Sequence, residues 1–146
     1  LTDKKLPKAD VKREVRQLDE SYFDTIWASY GPTGYASERG LHTLLQSGGI
    51  LGGFKGDELV GFVGEHPCGS IGMLTWFDGH RRHGWAQTLL LAKIREHMDR
   101  GWTPWAEVYP DNRASVSLMR RVGMSITSAN EQCYLSADDE CADMDL

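Results

Sequence analysis

The stretch HRRHGWAQTLLLAKIREH, residues 80–97, decides the fold class of this protein. Four basic or titratable residues precede a lone glycine, and apolar residues then recur at four-residue steps from Ala86 onward. That spacing predicts an amphipathic helix over residues 84–100, closed by Gly101. The first turn of a helix has unpaired N–H groups and the positive end of the helix dipole, and both attract anions.

The residues around the start of this helix predict a pyrophosphate as the anion. Gly84 removes the side chain where a backbone would have to approach phosphates closely, and Ala86 keeps the next contact small. Arg81 and Arg82 can add charge-assisted hydrogen bonds. Taken alone, the short pattern R-x-x-G-x-A is equally typical of a solvated basic turn, so both interpretations stay open at this point.

Composition limits the classes of function. The chain has 146 residues and a formal net charge of -5, which favours one globular domain and argues against general binding of nucleic acid. No apolar run approaches the roughly 18 residues that span a bilayer, and no signal peptide is visible. Three widely spaced cysteines predict free thiols in a reducing cytoplasm, with no metal-ligand spacing.

The rest of the chain predicts a mixed α/β (α+β) fold, with helices packed against one central, mostly antiparallel sheet. The residues around Lys55-Gly56-Asp57 predict a hairpin, and in the strand after it Ile71, Met73 and Thr75 should share one face. Asp19 and the glycines at 48 and 49 mark helix ends. The predicted elements are strands at 11–18, 49–54, 58–66, 69–77 and 104–109, two short final strands within 124–135, and helices after Asp19, at 38–46, at 84–100 and at 112–122.

The chain divides into three predicted regions. Residues 1–10 form a flexible N-terminal segment, residues 11–135 a single domain, and residues 136–146 an acidic tail. The chain begins at Leu1 and not at methionine, which leaves processing, trimming or a longer parent chain open.

A second motif, NRASVSLMRRVGM, follows at residues 112–124. Asn112 can cap the helix that begins there, or its side-chain amide can bind an amide of a ligand. Ser115 lies one turn further on, on the same side of that helix.

The two motifs together resemble the GNAT superfamily of acyl-CoA-dependent N-acetyltransferases. Residues 81–86 match the family's pyrophosphate loop, R/Q-x-x-G-x-G/A. Residues 112–124 match its downstream signature at Asn112, Ser115, Leu118 and Gly123-Met124. The segment GFVGEHPCGSIGMLTWFDGHRRHG, residues 61–84, is most similar to the branch that contains glycine N-acyltransferase-like proteins.

The resemblance implies a splayed sheet, with acetyl-CoA in the gap between the strands near 69–77 and 104–109. Backbone groups of Leu74 and Trp76 would pair with the pantetheine arm, and the amides of residues 82–87 would hold the pyrophosphate. The implied cofactor-binding residues are Leu74, Trp76, Arg81, Arg82, His83, Gly84, Trp85, Ala86, Gln87, Asn112 and Ser115.

The sequence departs from the family pattern at two positions. Met119 stands where a tyrosine often protonates the leaving thiolate, and methionine has no proton to give. Thr75 stands where some members have a carboxylate. Acetyl-CoA binding is therefore better supported by the motifs than any catalytic residue.

The candidates for proton transfer are Glu65, His66 and Glu107, and the candidates for binding the acceptor are Tyr30, Tyr35 and Arg39. A carboxylate or imidazole is needed because a substrate ammonium must lose a proton before it can attack a thioester. Each of these residues could equally be an ordinary surface group, and Arg39 could bind a substrate carboxylate.

The sequence therefore predicts an acetyl-CoA-dependent N-acetyltransferase that acts on the primary amine of a small molecule. A non-catalytic acyl-CoA-binding regulatory module and a protein N-terminal acetyltransferase are the alternatives. A nucleotide site is disfavoured, because no G-K-[ST] loop occurs. We expect no metal, no nucleic acid and no membrane as partners, and we leave a homodimer open.

Overall fold

The computed structural model describes residues 14–34, 36–77, 84–109 and 111–125. Its strands and helices follow the predicted order for most of the chain. They are β1 (Glu14–Gln17), α1 (Phe23–Tyr30), α2 (Glu38–Ser47), β2 (Leu51–Lys55), β3 (Glu58–Glu65), β4 (Ile71–Trp76), α3 (Trp85–Asp99) and α4 (Arg113–Arg121), with short 3-10 turns at Glu20–Tyr22 and Gly31–Thr33.

The four strands form one antiparallel sheet in the order β1-β2-β3-β4. The predicted hairpin joins β2 and β3, and Gly56 in its turn has a φ of 63°, a conformation that glycine adopts without strain. This meander confirms the predicted mixed fold. None of the helices among the described residues is long and apolar enough to cross a bilayer.

Side-chain caps mark the 3-10 turn before α1 and the start of α2. The Asp19 carboxylate accepts a hydrogen bond from the Ser21 N–H, and the Ser37 hydroxyl accepts one from the Gly40 N–H at the start of α2. Gly48 ends α2 with a φ of 75°. Asp19 thus caps the 3-10 turn Glu20–Tyr22, and α1 begins only at Phe23, whereas the predicted glycine stop of α2 is confirmed.

The sheet separates two apolar cores. Alternation along β3 directs Phe62 into the core with α1 and α2, and directs Val63 into the core with α3. Both side chains are fully buried. The two sheet faces are therefore distinct, one covered by α1 and α2 and the other by α3 and α4.

β4 breaks this alternation, and the predicted shared face of Ile71 and Met73 is wrong. Ile71 packs in the core beneath α3, whereas Met73 packs in the core of α1 and α2. Met73 has a φ of 57°, and the pairing of β3 with β4 shifts register between Phe62 and Gly64. A β-bulge adds one residue to the strand and so reverses the side on which the following side chains lie.

The predicted strand at 104–109 is also wrong, because residues 102–109 have no regular secondary structure. Among the described residues, the segment makes a single backbone hydrogen bond to β4, from the Ile71 N–H to the Trp105 carbonyl, at 2.8 Å. A strand pair needs successive backbone hydrogen bonds, so this segment contacts only the start of β4 and does not pair along it. The predicted final strands lie almost wholly outside the described residues.

Candidate active site

The first turn of α3 forms the centre of the candidate site. Gly84 precedes the helix with a φ of 77°, and no side chain caps the helix start among the described residues. Such a turn directs its N–H groups and the positive end of the helix dipole outward. The Trp85 indole anchors this turn against the sheet, since a Cβ atom at Gly53 would lie 2.8 Å from the indole ring.

A cavity of about 160 Å³ opens at this helix start. Three elements line it: the end of β4 through Trp76, the first turn of α3 from Gly84 to Gln87, and α4 through Leu118 and Arg121. Five of the predicted cofactor-binding residues thus line one cavity: Trp76, Gly84, Trp85, Ala86 and Gln87. Arg81, Arg82 and His83 lie outside the described residues.

Arg121 is a cation at this cavity that sequence reasoning missed. It lies three residues after Leu118, so both side chains lie on the same side of α4. A guanidinium beside a helix N-terminus strengthens the attraction for phosphate oxygens. The Arg120-Arg121 pair was visible in the sequence, but only the packing of α4 shows which arginine borders the cavity.

Asn112 and Ser115 act locally at the start of α4. The Asn112 side-chain oxygen accepts a hydrogen bond from the Ser115 N–H, at 3.2 Å. Neither residue lines the cavity at α3. Capping, one of the two roles predicted for Asn112, is thus present. Leu74 is half-buried against the core of α3 and α4.

Beyond Ile71, the outer edge of β4 is not paired with residues 102–109, and we call the space between them the gap. Among the described residues, no backbone hydrogen bond joins Gly72 through Trp76 to residues 102–109. The N–H and C=O groups of that edge are thus available to an added extended chain. The gap runs from the Ile71–Trp105 contact toward the cavity at the start of α3.

His66 lies at the narrow end of this gap. Its imidazole occupies the place of the missing Gly72 side chain, because a Cβ atom at Gly72 would collide with the His66 ring. Gly72 follows Ile71, which faces α3, so His66 covers the opposite face of the sheet. His66 therefore lies beside the Met73 bulge.

Glu107 lies on the segment across the gap. Ala106 packs toward α3 and α4, and Glu107 is the next residue along the chain. Its Oε1 atom is buried and has no hydrogen-bond partner within the part of the chain that the structure describes. A buried carboxylate oxygen without a partner costs free energy, and it is a position where a substrate proton can be bound.

Glu65 lies in a buried charged cluster on the α3 face, which the sequence did not reveal. Its carboxylate is 2.6 Å from His97 Nε2 and 3.4 Å from Arg100 Nη1, and Lys93 Nζ lies 3.5 Å away. Burial raises the pKa of the Glu65 carboxyl, but the His97 hydrogen bond and the Lys93 and Arg100 charges outweigh it, so this pKa lies below its ordinary value. Glu65 and His66 thus occupy opposite faces.

This cluster contains potential metal ligands, but its cation is a lysine. Ligand atoms of Glu65, Glu96 and His97 lie within 4.8 Å of one another. The fully buried Lys93 ammonium donates to the Glu96 carboxylate and to the Gly49 carbonyl, each at 2.7 Å. Lys93 therefore neutralises the carboxylates that a metal ion would need.

The predicted acceptor residues are only partly described. Tyr30 ends α1 and is half-buried against the core of α1 and α2. Arg39 lies exposed in the first turn of α2, and Tyr35 lies outside the described residues. On the same surface, His42 stacks on Phe23 with ring centroids 3.9 Å apart.

An uncapped helix start beside an open strand edge is an arrangement suited to a ligand that carries both a pyrophosphate and an amide-bearing arm. Those features are characteristic of acyl-CoA-dependent transferases. The chain belongs to the acetyltransferase (GNAT) family, whose model matches residues 13–124. No curated protein sequence matches the chain.

Several solved structures resemble this fold. A Drosophila protein is 26% identical with a TM-score of 0.69, and the match covers 84% of this chain and 42% of that one. This chain therefore spans less than half the length of that structure.

Two enzymes show the same fold at lower identity. Diaminobutyrate acetyltransferase EctA from Paenibacillus lautus, in complex with L-2,4-diaminobutyric acid and coenzyme A, is 19% identical over 76% of this chain and 74% of that one, with a TM-score of 0.59. Arabidopsis thaliana NAA60, in complex with a bisubstrate analogue, is 14% identical over 80% and 85%, with a TM-score of 0.64.

Proposed function

We propose that this protein is an N-acetyltransferase that transfers the acetyl group of acetyl-CoA to the primary amine of a small molecule. The observation that carries the proposal is the cavity at the first turn of α3, with Gly84 at its rim and Arg121 beside it. A side chain at Gly84 would intrude where phosphates must approach the amides. The pantetheine arm would then run along the open edge of β4 toward Ile71.

Glu107 is the proton acceptor that we favour among the three sequence candidates. Its buried Oε1 has no partner among the described residues, whereas the Glu65 carboxylate is bound to His97. His66 is the second candidate, because its ring covers Gly72 at the narrow end of the gap.

The reaction breaks the acetyl C–S bond of acetyl-CoA and forms a C–N bond to the amine. The acceptor ammonium loses two protons in total. One passes to solvent through Glu107, and the other ends on the sulfur of the leaving thiolate. The reference pKa of a thiol is about 8.5, so the coenzyme A thiolate can leave although Met119 provides no proton. A backbone N–H near Leu74 to Trp76 would stabilise the negative charge that develops on the acetyl oxygen.

The test is the release of coenzyme A thiol from acetyl-CoA in the presence of a panel of amines. Amino acids, diamines, arylalkylamines and short peptides with a free N-terminus should be included, because a protein N-terminal acetyltransferase would select the peptides. Tight acetyl-CoA binding without thiol release on any amine would instead indicate an acyl-CoA-binding regulatory module. Cytoplasmic location stays a prediction that rests on the cysteine pattern.

A further inference from the structure

A second cavity, of about 270 Å³, borders the narrow end of the gap. The turn between β3 and β4, residues 67–69, forms one wall, and Trp102, Thr103 and Trp105 form the other. The tryptophans are 47% and 37% exposed. Two large indoles exposed around one concavity form an apolar surface of the kind that marks a ligand site.

This cavity lies next to the segment that carries Glu107. The Trp105 carbonyl accepts the hydrogen bond from the Ile71 N–H, which marks the narrow end of the gap. Trp105 borders the cavity and Glu107 follows it by two residues, on either side of Ala106, which packs toward α3 and α4. Side chains two residues apart on an extended backbone are separated by about 6–7 Å. A ligand at Glu107 can therefore reach the Trp105 indole.

The charges around the cavity select against a second cationic group. The Arg100 guanidinium lies 4.9 Å from the centroid of the Trp102 ring. None of the six residues that line the cavity is acidic. A cation there would find no counter-ion among the lining residues, whereas an uncharged ring would stack on or against the indoles. A cavity of about 150 Å³ is enough to hold benzene, so this one accommodates a ring with part of its chain.

We propose that the acceptor is an arylalkylamine, a primary amine joined to an aromatic ring by a chain of two or three carbons. Its ring lies between Trp102 and Trp105, and its nitrogen lies at Glu107. The proposal rests on the proposed function and narrows the substrate class of that same site. The chain length follows from the spacing of the Trp105 and Glu107 side chains.

The kinetic test compares 2-phenylethylamine with n-butylamine, which has the same reacting group but no ring. The wild type should show a kcat/KM for the aryl amine at least about tenfold higher. Trp105→Ala should remove that preference and leave the KM for acetyl-CoA within about twofold, and Trp105→Phe should restore most of it. Equal kcat/KM values for the two amines in the wild type would overturn the proposal.

A binding test separates this proposal from the proposed function. With coenzyme A present, 2-phenylethylamine is titrated into ¹⁵N-labelled protein, and the indole N–H signals are assigned with Trp102→Phe and Trp105→Phe. If 2-phenylethylamine shifts those two signals and n-butylamine does not, the result supports the cavity assignment. This holds even if no amine is acetylated, and in that case only the proposed function fails. Unshifted signals would overturn the assignment even if other amines are acetylated.

Discussion

Replacing Glu65 with alanine should lower the free energy of unfolding by about 3 kcal/mol. Removing one partner from a buried ion pair typically costs roughly 3–5 kcal/mol, because the other charge stays buried and uncompensated. The lower end applies here, since Lys93 keeps its bonds to Gly49 and Glu96, and Arg100 keeps its contact with Glu96. For a chain of this size, that loss corresponds to a decrease in Tm of roughly 6–12 °C.

The measurement is urea denaturation at pH 7, followed by far-ultraviolet circular dichroism, for the wild type and Glu65→Ala. The midpoint should decrease at an unchanged slope, which indicates a loss of stability and not a change of the unfolded state. Glu14→Ala is the matched control, because Glu14 forms an ion pair with Arg16 at 2.7 Å on the exposed surface, where such pairs contribute little. Its midpoint should stay at the wild-type value.

The result that would refute this reasoning is a Glu65→Ala protein with wild-type stability and a large loss of kcat. That outcome would mean that the carboxylate acts on the reactants and not on α3. It would also remove the physical ground for preferring Glu107 as the proton acceptor.

The same cluster predicts that stability depends on pH, because the pKa of Glu65 is lower in the folded protein than in the unfolded chain. The stabilisation by the Glu65 carboxylate is present above the unfolded-state pKa of about 4.3 and is lost as the pH falls through the folded-state pKa. The Tm values of the wild type and Glu65→Gln should therefore converge in acid. Gly84→Glu should abolish acetyl-CoA binding in calorimetry while the protein stays folded. Gly101→Glu is the control, because Gly101 lies at the other end of α3 with a similar φ of 79°, and this variant should bind acetyl-CoA normally. Normal binding by both variants would count against the site. Glu107→Gln should lower kcat by about 10²–10⁴ with the KM for acetyl-CoA unchanged, and an unaltered pH–rate profile would exclude it as the base. Met119→Tyr should leave acetyl-CoA affinity within a few-fold, so a large loss would show that α4 packs differently.

Local signals in the sequence determined most of the elements and predicted where an anion would bind. The cap at Asp19, the turn at Gly56 and the glycine at 84 each act within a few residues of where they stand. The periodicity of residues 84–100 predicted α3, and the basic residues before it in the sequence predicted a phosphate at its first turn. These features depend on near neighbours, so one sequence was enough to predict them.

Contacts between distant segments decided the rest. The Met73 bulge depends on pairing with β3, and the short contact of residues 102–109 with β4 depends on strand geometry that no local pattern encodes. Lys93 lies on a helix that the sequence predicts to be amphipathic, yet it is buried, because the Gly49 carbonyl on a remote segment accepts a hydrogen bond from its ammonium. Likewise, the buried oxygen of Glu107 and the position of Arg121 at the cavity exist only once separate elements pack together, because burial and hydrogen bonding are properties of the assembled fold.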